Sequence, residues 1–149
     1  MSMLAFHAPI LLSAVMASPV QWAFKAEMSS EGCWVVLEAS VEPGWHVYAT
    51  ELPSDQGPLP TLVRFTPSEG YAWAAPLVEP EPVEEYDHNF GVTVRHHSGT
   101  VEFRRLLRPI HGPAVVVGEV EYMVCNDHTC LPPVVVSFKI EVPVRASGN

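Results

Sequence analysis

Apolar and polar residues alternate with a period of two along most of this sequence, which is the side-chain pattern of a β-strand with one buried face. The clearest runs span residues 20–28, 33–41 and 134–142. In the first of them, Trp22 and Phe24 fall on the same face as Val20 and Met28. No stretch of eleven residues carries a convincing helical period, so the pattern predicts a protein built from sheets.

The proline content supports the same conclusion. Proline removes a backbone donor and clashes inside a helix, and the chain contains 15 prolines. Turn-prone residues separate further strand candidates, at residues 61–65, 71–78, 90–96, 100–107 and 114–124. About eight short strands with frequent turns predict an all-β fold, an antiparallel immunoglobulin-like β-sandwich that forms a single domain.

The N-terminal segment is apolar and lacks charge before Lys25. Small residues at Val15 and Ala17 match the −3 and −1 positions of a secretory cleavage site, so residues 1–17 are predicted to be a signal peptide. The alternatives are an additional core strand and an incorrectly assigned start. We expect the domain to span residues 18–144, with residues 145–149 as a short tail.

The net charge limits the possible partners. With 17 acidic residues against 8 Lys and Arg, the formal charge is −9, and a sequence-independent nucleic-acid binder would need the opposite balance. Nucleic acid is therefore not expected as a partner.

The most unusual segment contains two cysteines, Cys125 and Cys130, on either side of a turn-prone insert of four residues. Asn126 and Asp127 favour a sharp turn, which would bring the two cysteines close enough for a disulfide. So small a ring stabilises a fold by only about 2 kcal/mol. The spacing leaves three uses open: redox exchange, a structural bridge, and a metal site formed by the two cysteines with His128.

Charge around this segment favours a reducing pair. Thiol exchange proceeds through the thiolate, which nearby cations stabilise. Glu121 and Asp127 are acidic, His128 is the one possible cation in the segment, and no Lys or Arg occurs between Arg108 and Lys139. We therefore expect neither thiol to be strongly acidified and the pair to act as a reductant. His128 itself is expected to be a solvated turn residue.

The cysteine segment and its prolines resemble the active-site strand and turn of a known family. Residues 118–125 and 130–133 are similar to the N-terminal, immunoglobulin-like domain of the thiol:disulfide interchange protein DsbD, in its disulfide bond corrector variant. Three further motifs follow the order of that family, at residues 19–22, 44–49 and 57–61, and residues 84–91 match a fourth. The similarity covers nearly all of the chain after residue 17.

The resemblance implies a periplasmic module that carries electrons on Cys125 and Cys130. It assigns Cys130 as the sulfur that attacks the partner and Cys125 as the sulfur that resolves the mixed disulfide. Its implied partners are thioredoxin-like domains, oxidised periplasmic proteins and a membrane electron-transfer protein. It implies a monomer, with no cofactor and no metal.

The family also has a cap loop that shields the cysteines, and residues 85–91 match it. Within this stretch Glu85 and Asp87 are part of the surround, and Asn89 or Phe90 occupies the shielding position. Tyr48 matches an aromatic residue beside the site. The cysteines here enclose four residues, whereas the enterobacterial pattern encloses five.

A second class of function remains open, a secreted immunoglobulin-like binding or adhesion module in which the disulfide only fixes a loop.

Two other features have simpler interpretations. The acidic stretch is expected to be a solvated loop, with a docking surface as the alternative; it contains Glu79, Glu81, Glu84, Glu85 and Asp87. Cys33, on an apolar strand face, is expected to be a buried free thiol.

Overall fold

The computed structural model describes residues 18–143, and all of the regular structure in this range is β-strand. The strands are β1 (Val20–Ser29), β2 (Gly32–Val41), β3 (His46–Tyr48), β4 (Leu62–Phe65), β5 (Val83–Asp87), β6 (Val92–His97), β7 (Thr100–Leu107), β8 (Ala114–Tyr122), β9 (Val124–Cys125) and β10 (Val134–Val142). The predicted signal peptide and C-terminal tail lie outside the described residues. Within residues 18–143 there is no helix long and apolar enough to span a membrane.

The strands form three antiparallel sheets, in the orders β1-β2-β7, β10-β8-β4 and β5-β6-β3-β9. The main core lies between the first two sheets and is closed by the inward faces of β3 and β9. Its largest fully buried members include Phe103, Leu37 and Val120. The prediction of an all-β antiparallel sandwich in a single domain is confirmed.

Close packing of β8 against its neighbours requires a glycine. A Cβ at Gly118 would lie 2.3 Å from the Arg64 backbone oxygen and 2.7 Å from the Phe138 ring. No other residue type fits without displacing β4 or that ring.

The strand predictions differ from the structure in four places. Residues 71–78 are not a strand but make two isolated bridges, at Trp73 and Val78, because Pro76 interrupts the ladder. The predicted strand 114–124 divides at Met123, where the chain leaves one sheet and enters another. The sequence pattern missed β3, which has only three residues, and β5, an edge strand exposed on both faces at most positions.

Cys33 is a buried free cysteine, as predicted. Met28 was expected to face the core but is 45% exposed, on an edge strand that has a hydrogen-bonded neighbour on one side only.

Candidate functional site

The segment that contains Cys125 and Cys130 begins where the chain passes from one sheet to another. β8 ends at Tyr122, and β9 then pairs with β3, so that Cys125 lies opposite His46 and Val124 lies opposite Val47. Residues 131–133 do not extend β9 as a sheet strand, because Pro132 and Pro133 lack the N–H that the ladder requires. The cysteine segment therefore folds as a turn at the rim of the third sheet.

Cys125 and Cys130 form a disulfide across this turn, with their Cα atoms 4.1 Å apart. The Asn126 side-chain oxygen accepts hydrogen bonds from the backbone N–H groups of His128 and Thr129, and the Asn126 N–H donates to the Thr129 carbonyl. An Asx turn of this kind reverses the chain sharply. It explains why four intervening residues suffice to bring the cysteines together.

The two cysteines differ in their exposure. Cys125 is fully buried, whereas Cys130 is partly exposed. A reagent that approaches from solvent therefore meets Cys130 first.

Residues 85–91, which comprise the last three residues of β5 and the turn before β6, lie against the cysteine turn. We refer to them as the cap loop. The Asp87 carboxylate accepts the backbone N–H groups of Asn89, at 2.8 Å, and Phe90, at 3.2 Å. Gly91 closes the turn in the left-handed region, with φ of +70°, and donates its N–H to the Asp87 carbonyl. One residue, Asp87, thus organises most of the loop.

A small apolar cluster, separate from the main core, surrounds the disulfide. Its fully buried members are Tyr48, Val94 and Cys125. The partly buried side chains packed on them come from four segments of the chain, and they are Leu52, Phe90, Val92, Met123 and Cys130. Phe90 of the cap loop therefore belongs to the same apolar cluster as both cysteines.

Asn89 makes the polar contact between the two loops. Its side-chain amide donates to the Asn126 carbonyl at 3.0 Å. The cap loop is thus attached to the cysteine turn by one apolar residue and one hydrogen bond.

A chain of hydrogen bonds runs behind the disulfide. The Tyr48 hydroxyl donates to the Asp87 carboxylate at 3.0 Å, and the His46 Nε2 lies 3.2 Å from the same hydroxyl oxygen. Burial, together with the neighbouring Asp87 carboxylate, raises the pKa of Tyr48 far above its ordinary value of 10, so this hydroxyl remains protonated.

Two imidazoles pack beside this chain of hydrogen bonds, with their planes tilted by 36°. The rings of His46 and His96 are 4.6 Å apart between centroids, and His96 Nε2 lies 2.5 Å from a Glu85 carboxylate oxygen. Burial lowers the pKa of His46 below its ordinary 6.5, and the neighbouring His96 lowers it further. Carboxylates at Asp87, Glu85 and Asp127 act in the opposite direction without reversing this.

His46 and the carboxylates of Glu85, Asp87 and Asp127 line an open cleft of about 220 Å³ next to the cysteine turn. Its walls come from β3, from the cap loop and from the cysteine turn. No Lys or Arg is part of this lining. Among residues 18–143, no group of three or more His, Cys, Asp or Glu side chains is arranged to hold a metal ion.

The structure brings together most of the residues singled out in the sequence. Cys125, Cys130, Tyr48, Asp87 and Phe90 share one neighbourhood, with Glu85 and Asn89 at its edge. His128 is exposed on the cysteine turn, as expected of a solvated residue, and only its backbone N–H has a role there.

His46 did not stand out in the sequence, where His128 was the one possible cation near the cysteines. It is His46 that lies opposite Cys125, through a pairing between segments that are distant in sequence. The alternation of His46 with Tyr48 within one motif is the only signal that could have placed it on this face.

The acidic stretch is not uniformly a solvated loop. Asp87 is 7% exposed and hydrogen-bonded. The Glu79 side chain is largely buried, where it pairs with His97 at 2.8 Å and accepts from Thr50. That expectation is wrong for these two residues, because each satisfies buried donors of the neighbouring strands.

The sequence and the fold were compared with known proteins. A family model described as the thiol:disulfide interchange protein DsbD, N-terminal, matches residues 14–141. No curated protein matches the sequence.

Several solved structures share the fold. The DsbD N-terminal domain of Neisseria meningitidis in its reduced form aligns with a TM-score of 0.53 and 16% identity, over 81% of this chain and 85% of that one. The complex of the DsbD and PilB N-terminal domains from the same organism aligns with a TM-score of 0.54 and 13% identity, over 79% of this chain and 80% of that one.

The N-terminal periplasmic domain of ScsB from Proteus mirabilis aligns with a TM-score of 0.52 and 18% identity, over 83% of this chain. The alignment spans only 44% of the ScsB chain. At identities this low, the structural alignments establish only that the fold is shared, and it is the immunoglobulin-like sandwich that the sequence predicted.

Proposed function

Because the chain belongs to the family of the DsbD N-terminal domain, we propose that it is a thiol:disulfide exchange module in which Cys125 and Cys130 carry the electrons. The observation that supports this most directly is the disulfide itself. It joins a buried and a partly exposed cysteine beside a loop that one hydrogen bond and one apolar side chain hold in place.

The difference in exposure supports separate roles for the two sulfurs. In the reduced module, the Cys130 thiolate attacks a partner disulfide, which forms a mixed disulfide and releases one partner thiolate. Cys125 then attacks the Cys130 sulfur, which restores the disulfide seen here and releases the second partner thiolate. Two electrons pass to the partner, and the reverse sequence with a reduced donor recharges the module.

The cap loop limits which partners can react. Phe90 and Asn89 lie against the cysteine turn, so a partner must displace the loop before its own sulfur approaches Cys130. We propose thioredoxin-like domains as partners, since the related Neisseria domain forms a complex with the PilB N-terminal domain. Oxidised periplasmic proteins are the proposed acceptors, and a membrane electron-transfer protein is the proposed source of electrons.

A periplasmic location suits a disulfide-carrying domain, and the ScsB domain that shares this fold is periplasmic. We propose that residues 1–17 direct export to that compartment.

Trapping of partners tests the cysteine roles. Cys125→Ala removes the resolving sulfur, so Cys130 should accumulate as a mixed disulfide with an oxidised thioredoxin-like protein, visible as a reducible adduct on a non-reducing gel. Cys130→Ala is the matched control and should give no adduct. Equal adducts from both variants, or none from Cys125→Ala, would overturn the assignment.

Reduction of the wild-type disulfide separates this function from that of a binding module. A reduced thioredoxin-like protein should open the Cys125–Cys130 bridge within minutes in the folded protein. A disulfide that resists this reduction would favour a structural role in a secreted binding or adhesion module.

A further inference from the structure

We propose that His46 is the general base that takes the proton from the Cys125 thiol when the mixed disulfide is resolved. This inference rests on the exchange reaction proposed above, and it concerns a residue whose placement appears only in the folded structure.

The position of His46 follows from strand pairing. His46 on β3 lies directly opposite Cys125 on β9 in an antiparallel ladder. Residues opposite each other in this way project to the same face of the sheet, with Cβ atoms about 4.5–5.5 Å apart. The side chains of His46 and Cys125 are therefore cross-strand neighbours on this face.

The hydrogen-bond chain determines which nitrogen of His46 can accept a proton. The single Tyr48 hydroxyl proton is donated to Asp87, so the Tyr48 oxygen can only accept from His46. The neutral imidazole must then carry its proton on Nε2, which leaves a lone pair on Nδ1. Within residues 18–143, no protein group forms a hydrogen bond with that Nδ1 atom.

The surrounding groups keep this imidazole neutral near pH 7. Those that face it are Tyr48 on its own strand, His96 on β6, Glu85 and Asp87 on the β5 side, and Asp127 on the cysteine turn. Burial and, to a lesser extent, His96 lower the pKa of His46, and together they outweigh the three carboxylates, which raise it. The unprotonated form, which is the form that can act as a base, therefore predominates at neutral pH.

After Cys130 has formed a mixed disulfide, the Cys125 S–H bond breaks and its proton moves to His46 Nδ1, which leaves a Cys125 thiolate and an imidazolium. The thiolate attacks the Cys130 sulfur and forms the Cys125–Cys130 bond, while the departing partner thiolate takes the electron pair of the old S–S bond. The imidazolium then returns its proton to that thiolate or to solvent.

A two-phase reaction with 5,5′-dithiobis(2-nitrobenzoic acid) tests this step. A Cys33→Ala background leaves two thiols in the reduced domain. Attack by Cys130 releases the first coloured thiolate, and resolution by Cys125 releases the second, so the two phases report the two sulfurs separately.

His46→Gln should leave the first phase within about twofold of its original rate and slow the second about tenfold to hundredfold at pH 7. The difference in second-phase rate between the parent and His46→Gln should disappear above about pH 9, because the thiol then ionises without a base. The rate of the second phase in the parent should depend on pH with a pKa below 6.5. In the variant, that rate should instead depend on pH with the pKa of the Cys125 thiol. His46→Tyr should behave like His46→Gln, and His111→Gln, an exposed loop substitution, is the matched control.

The outcomes separate the two proposals. A first phase absent from the parent domain would overturn the exchange function and this inference with it. A normal first phase with an unchanged second phase in His46→Gln at pH 7 would overturn the role of His46 and leave the exchange function intact. Slowing by the same factor at every pH would indicate a merely structural effect and would also overturn it.

Discussion

The side-chain amide of Asn89 donates a 3.0 Å hydrogen bond to the backbone carbonyl of Asn126, and this bond links the cap loop to the turn between the two cysteines. Asn89 itself is exposed, and its loop is otherwise held by Phe90 packing and by Asp87. In the function proposed here, a partner reaches the disulfide by breaking this single exposed hydrogen bond.

Asn89→Ala should open the cap more often. One net hydrogen bond is worth about 0.5–1.5 kcal/mol, so the rate of disulfide reduction by dithiothreitol should rise about threefold to tenfold. Gln21→Ala is the matched control, because it removes an exposed amide-to-carbonyl bond on β1. An unchanged rate in Asn89→Ala would show that this bond does not hold the loop.

Asp87→Ala should destabilise the domain. The carboxylate accepts from Tyr48 and from two backbone N–H groups of the cap loop, and its loss strands a buried hydroxyl. We expect a loss of about 2–4 kcal/mol in the free energy of unfolding, measured with urea. Asp55→Ala, at an exposed loop position, should change it by less than about 0.5 kcal/mol.

Glu79 should make stability sensitive to acid. Burial opposes its ionisation, but hydrogen bonds from His97 and Thr50 outweigh burial and place its pKa below the ordinary 4.5. A depressed carboxyl pKa contributes stability above the ordinary value, and that contribution is lost as the pH falls below 4.5 through the folded pKa.

Glu79→Gln should therefore cost about 1–3 kcal/mol at pH 7 and flatten the decline of stability in acid. Urea midpoints at a series of pH values measure both effects. Glu81→Gln, two residues away and exposed, should retain the parent profile. A parallel profile in Glu79→Gln would contradict the contribution assigned to this carboxylate.

Gly118→Ala should be costly despite its small size. The new Cβ would meet the Arg64 carbonyl at 2.3 Å, and backbone cannot rotate away as a side chain can. We expect about 1–3 kcal/mol of destabilisation by thermal or urea unfolding. Gly112→Ala, which meets no atom within 4 Å, should be nearly neutral.

The redox pair should behave as a reductant. The cleft beside it is lined by Glu85, Asp87 and Asp127, which disfavour a thiolate, and by no Lys or Arg. Its potential in glutathione buffers should lie nearer to that of thioredoxin, about −270 mV, than to that of DsbA, about −120 mV. Asp127→Lys should make it less negative, whereas a parent value close to the DsbA potential would rule out this reasoning.

Several features could be predicted from local sequence because they depend on local chemistry. Alternation located β1, β2 and β10, since each has a buried face along its length. The resemblance identified the cysteine turn and the cap loop, whose residues are contiguous. Strands β3 and β5 escaped prediction, because a three-residue strand and an exposed edge strand carry no clear alternation.

The sequence by itself indicated an all-β chain and two cysteines that a short turn can bring together. These follow from side-chain periodicity, proline placement and turn chemistry, which act over a few residues, whereas the loop over the cysteines was implied by the family resemblance alone. Only the tertiary structure decided that His46 lies opposite Cys125, that Asp87 and Tyr48 orient the imidazole, and that Glu79 is buried against His97. Each of these contacts joins segments that are distant in the chain, and the pairing of β3 with β6 and β9, which a local pattern does not specify, brings them together.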